Sequence, residues 1–177
     1  EKPTGEIYAS AGFGTSGGSV GFGIKENNFL GNGIKLDTNF QLSSDKFRGR
    51  FTVMNPNYKN SDKSIFTKFQ SFETDRLSDF GYKTNKTGVT VGTDFEYYDD
   101  LILGLGFNSY YEDIETDSTA SSQQQKLKGS YFDNFVSLSL DYDKRNQKFQ
   151  TTQGFRNYFS TDLPIVSETN TLANTFI

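Results

Sequence analysis

The sequence has no cysteine, no histidine and no tryptophan, and only one methionine and three prolines. Without cysteine there can be no disulfide, no thiol nucleophile and no thiolate metal site. Without histidine as well, the usual general bases and nucleophile–base pairs are missing, so neither an enzyme nor a cofactor is expected. Long apolar runs are missing too, and nothing approaches the roughly 20 residues of a spanning helix. If the chain meets a lipid bilayer, it must do so as a closed sheet, because open edges are not tolerated in hydrocarbon. The formal charge is −4 with no long basic run, so no nucleic acid partner is expected.

Hydrophobic residues make up 33% of the chain, which is thin for a soluble core, while aromatics reach 16% with 18 Phe and 10 Tyr beside 17 Gly. This balance suits sheets in which one face of each strand is apolar. Period-2 alternation is the dominant pattern. In residues 6–13, Ile7, Ala9, Ala11 and Phe13 share one face, with Tyr8, Ser10 and Gly12 on the other. A second strand aligns Val20, Phe22 and Ile24, and a third aligns Ile34, Leu36, Thr38, Phe40 and Leu42 against Lys35, Asp37, Asn39 and Gln41. After a Ser43-Ser44-Asp45 turn, Phe47, Gly49, Phe51 and Val53 alternate with Arg48, Arg50 and Thr52. Further strands are expected at 65–72, 87–97, 101–111, 131–142 and 155–163, with a tenth after Thr169.

Runs of about 9–11 residues suit a tilted bilayer crossing, whereas soluble strands are nearer 5–6. The connections are expected to alternate in length, tight at 98–100 and longer and polar at 73–86 and 113–128, as in barrels with short periplasmic turns and long outer loops. Tyr97, Tyr98, Tyr110, Tyr111, Tyr131 and Phe132 gather near expected strand ends, as an interfacial girdle requires. A soluble all-β domain with its polar face in water shows the same alternation.

Several connections carry a more specific pattern. Asn27-Asn28-Phe29-Leu30-Gly31-Asn32-Gly33 resembles the N-x-L-G-x-G turn of BamA-family barrels, carried here by Asn28, Leu30, Gly31 and Gly33. Asn55-Pro56-Asn57-Tyr58 resembles the family's N-P-x-Y/F element. Asp143, Arg145, Asn146 and Phe149, followed by Thr152, Gly154 and Phe155, resemble its D-x-R-D/N-x-x-x-F-x-P-T-x-G-F signature. Lys148 and Thr151 stand where that signature has prolines, and Asn146 stands for the commoner Asp. Pro3-Thr4-Gly5-Glu6 matches the family's approach from the last POTRA domain into the barrel.

The resemblance implies an all-β, antiparallel up-and-down transmembrane β-barrel segment, about nine or ten strands of a larger barrel. Residues 1–177 are then a single partial outer-membrane barrel domain, both ends being cuts, with upstream POTRA domains and closing strands absent. It also implies a place in the bacterial outer membrane, where the parent folds and inserts β-barrel proteins through a seam at its first strand. Glu6, Ile7, Tyr8, Ala9, Ser10, Ala11, Gly12, Phe13 and Gly14 are then the edge that pairs with a client strand. The implied partners are the lipid bilayer, unfolded barrel clients and, through absent domains, accessory assembly lipoproteins. A translocator of the same superfamily, for secretion or autotransporter assembly, and a general porin remain open.

Other chemistry reads as structural. Asp99-Asp100 and Asp113, Glu115 and Asp117 are expected to be solvated turn and loop charge, since their spacing lacks a calcium-loop pattern. The Gly-x-Gly elements open no helix and read as small residues on a strand face. Asn85-Lys86-Thr87 matches a glycosylation acceptor by chance. Arg48 and Arg50 are expected to pair across strands with the neighbourhood of Lys35 and Asp37.

Overall fold

A computed structural model describes residues 4–14, 17–166 and 173–176. They form one ten-stranded antiparallel sheet in chain order. The strands are β1 (Gly5–Gly14), β2 (Gly17–Phe29), β3 (Ile34–Ser43), β4 (Lys46–Asn55), β5 (Lys63–Arg76), β6 (Tyr82–Tyr98), β7 (Leu101–Thr116), β8 (Gly129–Asp143), β9 (Arg156–Val166) and β10 (Ala173–Phe176). Two short helices, α1 (Leu77–Phe80) and α2 (Ser122–Lys126), sit in connections at one end.

The register turns the alternation of each strand into two continuous faces. One row of partners runs Leu36, Val53, Thr67, Val91, Phe107, Val136, Leu163. Another runs Ile7, Ile24, Thr38, Phe51, Phe69, Val89. The adjoining rows on the opposite face are polar: Tyr8, Gly23, Asn39, Arg50, Gln70, Gly88, Tyr110, Asp133, and then Lys25, Asp37, Thr52, Lys68, Thr90, Asn108.

Burial is inverted relative to a water-soluble protein. Among the described residues the buried apolar side chain is Ala120, in a loop, whereas Thr90, Asn108, Asp133 and Thr161 are buried. Phe13, Ile7, Phe69, Val20 and Leu42 are more than half exposed. No second layer covers the apolar face among the described residues, so that face needs a non-aqueous solvent. Each large side chain moved from water to lipid contributes about 1.5–3 kcal/mol. That is the driving force a soluble core would otherwise supply.

Four expectations are corrected. The polar segments 73–86 and 113–128 are not simply loops, because β5 runs on to Arg76, β6 begins at Tyr82 and β7 reaches Thr116. The connections do not alternate in length either. Residues 99–100 share an end with the long 144–155 connection, and 44–45 share the other end with 117–128. The aromatic girdle is narrower than expected: Tyr111 and Phe132 pair on the apolar face, but Tyr110 pairs with Gly88 on the polar face and Tyr131 with Glu112. Arg48 and Arg50 lie opposite Gln41 and Asn39, and neither forms an ion pair among the described residues. The expected strand after Thr169 is seen as β10; Thr171, Leu172 and Ile177 lie outside the described residues.

Candidate functional site

β1 carries all nine residues expected to form the pairing edge. It zips to β2 from Gly5↔Glu26 to Gly14↔Gly17 without a bulge. β2 is its one sheet neighbour among the described residues, and every β1 residue is exposed. Glu6, Tyr8, Ser10 and Gly12 face the polar side, while Ile7, Ala9, Ala11 and Phe13 face the apolar side. A strand edge that is left unpaired presents N–H and C=O groups to an incoming strand.

Two devices hold the strand in register. At its start, the backbone N–H and side-chain amide of Asn27 both donate to the carbonyl of Thr4, at 3.1 and 3.2 Å. In its middle, the ring of Tyr8 lies against Gly23, where a Cβ would collide with it. The Tyr8 hydroxyl then accepts from Asn39 Nδ2 at 2.9 Å, two strands away. Sequence reasoning missed this contact because it skips a strand. The available signal was a tyrosine and an asparagine on polar faces separated by a strand with glycine at the crossing.

Each turn motif has a local reason. In the 30–33 turn, Leu30, Gly31 and Gly33 take positive φ of 55°, 74° and 68°, and Asn28 Oδ1 accepts from the Gly33 N–H at 2.6 Å. In the 56–62 turn, Asn55 Oδ1 accepts from Asn57 N–H at 3.1 Å, and Asn57 Oδ1 accepts from Asp62 N–H at 3.2 Å. These Asx contacts replace ladder bonds where the chain reverses after Pro56. Tyr58 opens the 3₁₀ turn between them.

The 144–155 segment folds on itself. Arg145 grips Asp143 with Nε and Nη2 at 2.8 and 2.7 Å. Asn146 donates from Nδ2 to Thr152 Oγ1 at 2.8 Å and accepts from the backbone of Thr152 and Gln153. Gly154 has φ of +95°, and a Cβ there would meet the backbone of Lys144 and Arg145. Phe155 packs edge-on to Tyr142 at 5.8 Å, whereas Phe149 is exposed. At the departures from the signature, Thr151 Oγ1 donates to the Gln147 carbonyl at 2.9 Å, a contact no proline could make.

The structure brings two of these motifs together and leaves β1 apart from them. Pro56 and Asp62 face Asp143, Arg145 and Asn146 across a cavity of about 960 Å³ on the polar side. Its wall also holds Asp94, Asp141 and Arg156; Arg156 clamps Asp141 with two 2.7 Å bonds. Lys144 Nζ reaches Asp100 Oδ2 at 2.6 Å, and that carboxylate holds the ammonium above the ordinary lysine range.

At the opposite end, the Asp117 carboxylate lies below its usual range because the Thr119 hydroxyl and backbone N–H donate to it, at 2.6 and 2.7 Å. Burial pushes Asp45 upward, but the Ser43 hydroxyl and the charges of Lys46 and Arg76 outweigh it and leave it lowered. No group of three or more metal-ligating side chains exists among the described residues.

A family model described as the Omp85 superfamily domain matches residues 28–174. Among solved structures, the fold is similar to the crystal structure of BamA from Haemophilus ducreyi lacking POTRA domains 1-3, with a TM-score of 0.72 and 21% identity. That match covers 93% of this chain and 35% of the other. At this identity the likeness is one of fold, and the chain spans about a third of that protein's length.

Proposed function

The chain belongs to the Omp85 superfamily, and on that premise we propose that it is barrel wall from a bacterial outer-membrane assembly factor that folds and inserts other β-barrels. What supports this is the superfamily match and the likeness of fold, with β1, ten residues zipped to β2 without a bulge, as the first strand of the sheet. A client strand would add to that edge by main-chain hydrogen bonds, and the alternating faces of β1 would impose the register. Small side chains at Ala9, Ser10, Ala11 and Gly12 limit cross-strand packing energy, so that strand pairing there is reversible. The process needs no covalent step and no cofactor. Partners are lipid, unfolded barrel clients and, through other domains of the parent, accessory lipoproteins.

A continuous polar face also suits a translocator, and one experiment separates the two readings. The parent protein is reconstituted in liposomes with single cysteines at Ala9 or Ser10, and with a control cysteine at Phe69 in the sheet centre. A barrel client carrying one cysteine in its last strand is then added. Assembly predicts faster client insertion and disulfide adducts at β1 only. Passage of a secreted substrate or small solutes, without faster insertion or β1 adducts, would replace assembly by translocation.

A further inference from the structure

The polar face is divided by charge. On β2 to β5 it bears Lys25, Lys35, Arg48, Arg50 and Lys68 against Asp37, whereas on β6 to β9 it bears chiefly carboxylates. The acidic wall is satisfied from within. Asp141 is clamped by Arg156, Glu112 by Lys86 and Asp143 by Arg145, while Asp94 and Asp162 accept from Ser64 and Ser137. The basic wall is not. Among the described residues, Lys46 and Arg76 at its rim pair with Asp45, but none of the other five cations forms an ion pair, and Lys25 stands between Glu6 and Asp37 in register without reaching either.

Four of these cations converge. Lys25, Lys35, Arg50 and Lys68 line one recess of about 310 Å³, together with Asp37 and Thr52. Arg50 repels the Lys68 ammonium, whereas Asp162 of β9 attracts it. Like charges gathered on a concave, partly desolvated surface repel one another and raise the local concentration of counter-ions. The recess therefore favours an anion.

We propose that this recess is an anion site and that its ligand is a phosphoryl group. Within the recess four cations meet one carboxylate; Glu6, opposite Lys25 in register, and Asp162, which attracts Lys68, bear on it from outside, and the local balance stays positive. A phosphoryl group brings about −1.5 to −2 and three acceptor oxygens, whereas a single carboxylate brings one charge. Lysine ammoniums serve phosphate as mobile point charges, and the Arg50 fork supplies a bidentate contact. The space admits the group with several waters, each occupying about 30 Å³. The phosphoryl group comes either from the aqueous phase or from a lipid head group. The site borders β1, Lys25 lying opposite Glu6 in register, but it uses no β1 residue, so its test is read apart from that of the assembly reading.

The test uses the full-length parent in nanodiscs, with folding of every variant checked by heat-modifiable gel mobility. In phosphatidylcholine discs, inorganic phosphate is titrated at low ionic strength and followed by ³¹P line broadening. In a second arm, phosphatidic acid replaces part of the lipid and no free phosphate is added. Saturable binding in the first arm, weakened at least tenfold in the R50Q/K68Q double variant and unchanged in K86Q, supports an aqueous ligand. Broadening of the phosphatidic acid signal alone, with the same variant pattern, assigns the phosphoryl group to lipid. Failure to bind in both arms, or equal binding by the double variant, overturns the proposal. So does zero-length carbodiimide coupling of Lys35 or Lys68 to an acidic segment of the parent, because the recess would then be filled by protein.

Discussion

The hydroxyl of Tyr8 accepts a hydrogen bond from Asn39 Nδ2 at 2.9 Å, spanning β2 with the tyrosine ring laid over Gly23. Among the described residues it ties the edge strand to β3, so it bears on how readily β1 frays. Tyr8→Phe keeps the ring and loses the bond, with an expected cost of about 0.5–1.5 kcal/mol. Gly23→Ala must displace the ring and is expected to cost more. Amide hydrogen exchange checks both: β1 protection should fall while that of β6 and β7 is unchanged.

Successive residues of a strand point their N–H groups to opposite edges. Proline placed singly at Ala9 and at Ser10 therefore removes one donor toward β2 and one toward the open edge. The variant that loses the outward donor should slow client insertion in liposomes at least tenfold and retain the unfolding midpoint of the parent. Normal insertion rates in both variants would remove β1 from the mechanism.

Gly154 holds a φ of +95° against the backbone of Lys144 and Arg145. Alanine there is expected to destabilise the 144–155 fold by at least about 1–2 kcal/mol, the cost of a left-handed conformation with a Cβ. Urea titration of the refolded protein, with limited proteolysis of the turn, would register it. Thr151→Pro restores the family's residue but removes the hydroxyl contact to Gln147.

The Asp117 loop should be acid-labile in a defined direction. Its carboxylate is lowered in the folded state from an ordinary value of 3.8 by the two Thr119 bonds, so it stabilises the loop above that value. The contribution is lost as pH falls through the folded value. Lys144 behaves oppositely: raised from 10.5 by Asp100, it stabilises below that pH and fails as pH rises through its higher folded value. Proteolysis of the loop against pH should show the acid limb, and Asp117→Asn should abolish it.

The faces can be assigned by charge insertion. Leu105 lies on the apolar face and Gln41 on the polar one. Arginine at Leu105 should cost about 2–4 kcal/mol if the site is near the bilayer midplane. Arginine at Gln41 should leave the urea midpoint within error. Equal effects would contradict the assignment of lipid and interior sides.

The legibility of the fold followed solvent contrast. Between Ile34 and Leu42, or Val89 and Tyr97, one face meets lipid and the other water, so every second residue records its side. Glu73 to Arg76 and Tyr82 to Lys86 carry no such record. They remain paired all the same, with Lys83 bridging Glu73 and Asp75 at 3.0 and 3.3 Å. Where both faces are polar, alternation disappears while the ladder continues, and a strand end looks like a loop. The turn motifs were readable for another reason: Asn28, Asn55 and Gly154 act within a few residues of themselves.

By itself, then, the sequence determined the order of the strands, the apolar side of each and the residues at the tight reversals, because these depend on neighbours one to ten positions away. Only the tertiary structure decided how far the strands run, that Tyr8 reaches Asn39, and that Asp141, Asp143 and Glu112 find cationic partners while Lys25, Lys35, Arg48, Arg50 and Lys68 form no ion pair among the described residues. Those outcomes depend on register and curvature across the sheet, where residues 30 or more positions apart meet and a one-residue slip would reverse every face.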